Sequence, residues 1–247
     1  MKMHAVAKSL LVACASAAML AFPAKADDLT AEAIIAKMRN AYADLSTYRD
    51  TCVSIQQYSN RSWTNSCTEL MGGRNCFYIT VVTAPNPYSH TNIYACDGVT
   101  RYVHSFNYNW DPLSDLSLLS SDSAAPALFF NLSWGNPVLV LQLERGEKTQ
   151  REKDDTVNGI DCFVVGRRDV TTNATRQVTA WISKNDFLLR KWSQLDATAA
   201  PDQIPSGNIE FHENIVTNET LRREDYVRDV PKTMLSRRAF AKPARKP

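Results

Sequence analysis

The sequence predicts a mainly β protein: a long antiparallel sheet, one N-terminal helix and an apolar helical insertion mid-chain. Three observations carry this. Hairpin turn signals recur at Gly72-Gly73, Asp97-Gly98, Asn158-Gly159 and Asn185-Asp186, with residue types that tolerate the backbone of two-residue turns. Between them lie β-rich runs such as 74–83, 99–106, 160–165 and 178–182, and short connections between sequential strands imply an antiparallel meander. The segment from Ala31 to Leu45 repeats apolar residues at helical spacing instead.

Taken in chain order, the first element is a targeting segment. Lys2 and Lys8 precede an apolar run from Ser9 to Phe22, and Ala24-Lys25-Ala26 follows. That is the pattern of a secretory signal peptide cut after Ala26. The run is too short for a membrane span of about 20 residues. Leu11-Val12-Ala13-Cys14 resembles a lipobox, but Lys8 stands too close to Cys14 to leave an h-region.

A helix is expected next. Thr30 suits the N-cap and Glu32 the first turn. Leu29 and Ile34 occupy staple positions. Ile34, Ile35, Met38, Ala41, Tyr42 and Leu45 form one apolar stripe, which must be covered by another layer. Strands follow from Thr47. In the last long one, Asn208 to Thr217, Ile209, Phe211 and Ile215 alternate with Glu210, His212 and Asn214. The expectation is that the polar set faces water.

Residues 109–146 interrupt the meander. Asn109 to Ser123 reads as a loop. Ala124 to Leu143 is apolar and reads as two short helices broken at Gly135, with Asn136-Pro137 as a cap and first turn. A large curved sheet needs a filling, and this insertion and the N-terminal helix are the candidates. Phe129, Phe130, Trp134, Leu139 and Leu141 from the insertion, with Ile35, Met38 and Tyr42 from the helix, are the candidate ligand-binding residues. The aromatics among them serve equally well as a lid over a pocket or as a plug.

Five cysteines remain after cleavage: Cys52, Cys67, Cys76, Cys96 and Cys162. An exported chain favours disulfides. A hairpin centred on Ser59-Asn60 sets Cys52 opposite Cys67, and one centred on Asn86 sets Cys76 opposite Cys96. Directly opposite positions are within bonding reach. Cys162, in an apolar run, reads as a buried thiol.

The formal charge of +2 conceals segments of opposite sign. The first 26 residues carry +3, residues 27–231 carry −7, and residues 232–247 carry +6. An acidic body excludes a dedicated nucleic-acid binder. The basic tail reads as solvated and without fixed structure, with peripheral contact to anionic membrane as its other use. Domain boundaries follow: 1–26 signal peptide, 27–231 folded domain, 232–247 tail. Enzyme motifs are missing: there is no G-x-S-x-G, phosphate loop or G-x-G-x-x-G. His90, His104 and His212 fall on separate strands without metal-ligand spacing. No metal or cofactor is expected.

Four stretches resemble the LolA-like superfamily of periplasmic outer-membrane lipoprotein-sorting proteins. They are Ala31 to Asp50, Phe77 to Tyr94 with its Pro-x-Pro-Tyr, Val157-Asn-Gly-Ile-Asp-Cys-Phe-Val-Val, and Ala180-Trp-Ile-Ser-Lys-Asn-Asp-Phe-Leu-Leu-Arg-Lys. Together they span most of residues 30–230. The resemblance implies an unclosed β-barrel of about eleven strands under a helical lid, consistent with the closing rules for barrels. It also implies a periplasmic protein whose hydrophobic cavity holds a lipid or the acyl chain of a lipoprotein. A second reading is an envelope sensor or protein-interaction module on the same fold; a third is a thiol enzyme centred on Cys162. The number of cysteines and the basic tail depart from the family pattern.

Overall fold

A computed structural model describes residues 29–58, 61–73, 76–84, 90–104, 149–170, 175–198, 205–231 and 236–238. The signal segment and the apolar insertion lie outside these residues.

Helix α1 spans Ala31–Ala43, with Thr30 as N-cap and its hydroxyl accepting from the Ala33 amide at 3.3 Å. The apolar stripe buries Ile34, Ile35, Met38 and Tyr42. The strands are β1 (Thr47–Tyr58), β2 (Arg61–Gly72), β3 (Cys76–Ala84), β4 (His90–Asp97), β5 (Thr100–His104), β6 (Gln150–Arg151), β7 (Asp155–Val157), β8 (Ile160–Val170), β9 (Thr175–Ser183), β10 (Leu189–Asp196), β11 (Gly207–Thr217) and β12 (Ser236–Arg238), with a one-turn 3-10 helix at Arg223–Tyr226. All twelve belong to one antiparallel sheet in the order β12-β5-β4-β3-β2-β1-β11-β10-β9-β8-β6, with β7 also on β8. Two local meanders are thus joined by a single long-range seam, β1 with β11, where Cys52 faces His212. The sheet does not close. Its ends are β12 beside β5 and the β6 and β7 pieces beside β8.

The four turn signals all fall between paired strands. Asn158 and Gly159 take φ of 49° and 80°, the two left-handed residues that a tight hairpin requires. At Asp97-Gly98 the Asp97 carboxylate accepts from the amides of Val99 and Thr100 at 2.9 and 2.7 Å, a side-chain mimic of a turn.

The β1–β2 register pairs Tyr58 with Arg61 and Cys52 with Cys67, and the Cys52–Cys67 disulfide is formed. The expected Cys76–Cys96 bond requires correction. Cys76 faces Asp97, and Cys96 faces Phe77. A one-residue offset sends two side chains to opposite faces of a sheet, so these sulfurs point apart.

The last long strand also reverses its expected orientation. Glu210 and His212 are buried at 2% and 5% exposure, whereas Ile209 and Phe211 are only half-buried. The seam with β1 dictates this. Cys52 and Ser54 of β1 face the core, and their partners are His212 and Glu210. Finally, Ser236–Arg238, inside the tail expected to lack structure, adds to the edge of β5 with Arg237 opposite Arg101.

Candidate functional site

The inner face of the sheet, where α1 lies, changes character along the strands. Under the helix it is apolar: Met71, Phe77, Ile79, Phe163, Val165 and Ile182 join Ile34 and Met38 in one core. Beyond it runs a band of buried ionisable groups. Strand alternation puts Tyr48, Asp50, Cys52 and Ser54 of β1 on one face, opposite Met71, Glu69, Cys67 and Asn65 of β2. Asp50 and Glu69 are therefore cross-strand neighbours, at 1% and 0% exposure.

Hydrogen bonds converge on Asp50. Its Oδ2 accepts from the Tyr48 hydroxyl at 2.8 Å and lies 2.7 Å from His212 Nδ1. The other ring nitrogen of His212 is 3.3 Å from Glu210 Oε1. Burial by itself depresses an imidazolium, but the bonds to Asp50 and Glu210 outweigh it, and the His212 pKa stands well above the ordinary histidine value. Burial, reinforced by the charge of Asp50, raises Glu69 well above the usual carboxylate range, which favours its neutral form. A cationic ring between two acids thus stands beside a protonated carboxyl, a paired arrangement of the kind buried charges require. Cys67 Sγ lies 3.8 Å from Glu69 Oε1. Cys52, Cys67 and Glu69 form a group of metal-ligand types, but the sulfurs are consumed by the disulfide.

Next to this band the sheet splits. Strands β10 and β11 pair from Lys191–Phe211 to Leu195–Gly207, and past Phe211 strand β11 pairs with β1 alone. A cavity of about 430 Å³ occupies the parting, lined by Val157, Asn158, Ile160, Arg190, His212, Glu213, Asn214 and Ile215. Two irregularities frame it, one in β10 between Leu189 and Lys191 and one in β1 between Arg49 and Thr51. Bulges re-aim side chains next to sites, and the β10 bulge falls on Arg190. That guanidinium has a side-chain exposure of 10% and reaches Asp186 at 2.5 Å through Nη2. Its Nε and Nη1 have no hydrogen-bond partner among the described residues. Beside the same bulge, the Leu189 amide donates to the Tyr42 hydroxyl at 3.3 Å, which pins α1 to β10.

Of the residues nominated from sequence, Ile35, Met38 and Tyr42 lie on the buried face of α1, packed against the sheet. Phe129, Phe130, Trp134, Leu139 and Leu141 lie outside the described residues. Cys162 is fully buried, its thiol directed at the Ile160 carbonyl at 3.4 Å, and burial pushes its pKa up to about 11, opposite to what a nucleophilic thiolate needs. Sequence reasoning missed Asp50, Glu69, Glu210, His212 and Arg190. The expected 52–67 pairing already contained part of the signal, because it forces Asp50 and Glu69 onto the same inner face as the disulfide.

Neither a family model nor a curated protein sequence matches the chain. Solved structures do. MucB in its complex with MucA from Pseudomonas aeruginosa is 11% identical at a TM-score of 0.46, covering 79% of this chain and 60% of that one. LprF from Mycobacterium bovis is 12% identical at 0.40, over 77% of this chain and 94% of its own. A LolA superfamily protein from Nitrosomonas europaea is 9% identical at 0.31, over 80% and 97%. This chain is similar in fold to solved LolA superfamily proteins. It spans about 60% of the MucB chain it matches. Likenesses at this identity and these TM-scores carry no argument about cargo or partner. Among the described residues no helix is long and apolar enough to cross a membrane.

Proposed function

We propose that this protein is a periplasmic carrier or binding protein for a lipid or the acyl chain of a lipoprotein, held in the unclosed half-barrel. The observation that supports this best is the open strip itself. Strands β5 and β6, which flank residues 105–148, sit toward opposite ends of the sheet, so the most apolar part of the mature sequence connects its two free sides. Burial of an acyl chain there gains about 0.8 kcal/mol per methylene. In this reading Phe129, Phe130, Trp134, Leu139 and Leu141 form the cover, and Ile35, Met38 and Tyr42 the floor. The basic segment 232–247 adds contact with an anionic membrane surface.

The test is displacement of a fluorescent acyl probe, dansylamino-undecanoate, from the protein lacking residues 1–26. Saturable binding with a blue shift supports the reading, and loss of binding in Phe129→Ala/Trp134→Ala supports the cover. No binding by a folded protein contradicts it.

A second reading, an interaction module, is favoured by the outer face. Lys191 lies 4.0 Å from the Trp181 ring and 5.4 Å from that of Phe211, all three half-buried on adjacent strands. Aromatic and cationic groups of this kind are common anchors at interfaces.

A further inference from the structure

We propose that the parting between β10 and β11 is a head-group site, in which Nε and Nη1 of Arg190 hold the carboxylate of a single-chain amphiphile. This rests on the acyl-binding reading and adds the polar end of the ligand to it.

The first support is an inventory of donors and acceptors. Several buried side-chain atoms have no hydrogen-bond partner among the described residues. Those that belong to residues lining the cavity are Arg190 Nε, Arg190 Nη1 and His212 Nε2. The guanidinium nitrogens are donors only, and so is a protonated ring nitrogen. Buried donors left without acceptors are costly, and the guanidinium is nine-tenths buried. The group that fits is one that only accepts.

The second support is the state of the nearby acids. Asp186 already occupies Nη2 of Arg190. Glu213 accepts from Asn158 Nδ2 at 2.7 Å. Asp50 and Glu210 flank the His212 ring. None of them reaches the Nε–Nη1 edge. That edge is a planar two-pronged donor matched to the two oxygens of a carboxylate. The same four acids disfavour a doubly charged phosphate, so the geometry selects a monoanion.

The third support is the remaining wall. Val157, Ile160 and Ile215 are apolar, and Ile215 also packs against the hydrophobic core. A carboxylate at Arg190 therefore has an apolar route leading inward, and a short acid such as acetate leaves that wall unused.

The experiment is calorimetric titration of the protein lacking residues 1–26 with dodecanoate, dodecan-1-ol, acetate and inorganic phosphate. Dodecanoate is expected to bind at least about tenfold more tightly than dodecanol, which corresponds to about 1.4 kcal/mol. Arg190→Gln removes that difference while leaving dodecanol binding in place, and Arg190→Lys, which keeps charge without the fork, falls between. Thermal melts of each variant confirm a folded state. Equal affinity for dodecanoate and dodecanol, or dodecanoate binding untouched in folded Arg190→Gln, overturns the head-group site and leaves the acyl reading standing. Acetate or phosphate binding as tightly as dodecanoate overturns the amphiphile. Failure of both chain compounds to bind overturns the acyl reading and this site together.

Discussion

Buried His212, held by Asp50 and Glu210, ties the stability of the protein to pH. Its folded-state pKa is raised above the unfolded value of 6.5, so its contribution is complete below pH 6.5 and is lost as pH rises through the folded pKa. Glu69, raised above 4.5, acts with the same sign, because the unfolded chain ionises first and the folded state binds the extra proton. Denaturant midpoints are therefore expected to fall steadily from pH 5 to pH 9. His212→Gln is expected to flatten the part of that slope above pH 6.5. A midpoint that rises across this range contradicts the assignment. Tyr42 supplies a second residue-scale test. Its hydroxyl accepts from the Leu189 amide at the β10 bulge, so Tyr42→Phe is expected to cost about 1 kcal/mol in urea denaturation.

At the scale of elements, α1 and the β1–β2 hairpin show what was readable in advance. Helix α1 was legible because its cap, first-turn acid and apolar stripe agree with one another, and all are local. The β1–β2 register was legible because two turn residues between Tyr58 and Arg61 leave one way to align Cys52 with Cys67. The β3–β4 register slipped by one position, since the turn around Pro85 and Pro87 does not dictate loop length by itself. The orientation of β11 was illegible locally. Its Ile and Phe pattern argues for one face, but the seam with β1 turns the other face inward and sets Glu210 and His212 against Ser54 and Cys52. The candidate site was hidden for that reason, being assembled from residues more than 150 positions apart that no motif connects. Two measurements follow at this scale. Replacing Cys52 and Cys67 by Ser is expected to lower stability by about 3 kcal/mol through the lost cross-link. Met38→Ala, which empties the fully buried centre of the α1 stripe, is expected to cost about 2–5 kcal/mol. A Met38→Ala midpoint equal to wild type indicates that α1 is detached from the sheet in solution.

For the whole molecule, two meanders depend on one seam and leave two edges. Long-range pairing of this kind slows folding, and unpaired edges invite association with other strands. Strand β12 covers only part of β5, and Arg237 faces Arg101 across the ladder, a like-charge pair that weakens it. Removing residues 232–247 is therefore expected to leave the cooperative melt intact but to increase self-association in concentration-dependent light scattering. The unclosed sheet, its apolar inner face and the cavity at the β10–β11 parting together support an acyl ligand. That claim is tested most directly by native mass spectrometry of the protein purified from the cell envelope without residues 1–26. The expected spectrum contains an adduct with the mass of an acyl lipid, which disappears on organic extraction and is replaced by one dodecanoate when that is added. A spectrum with the bare protein alone, before and after dodecanoate is added, contradicts the account.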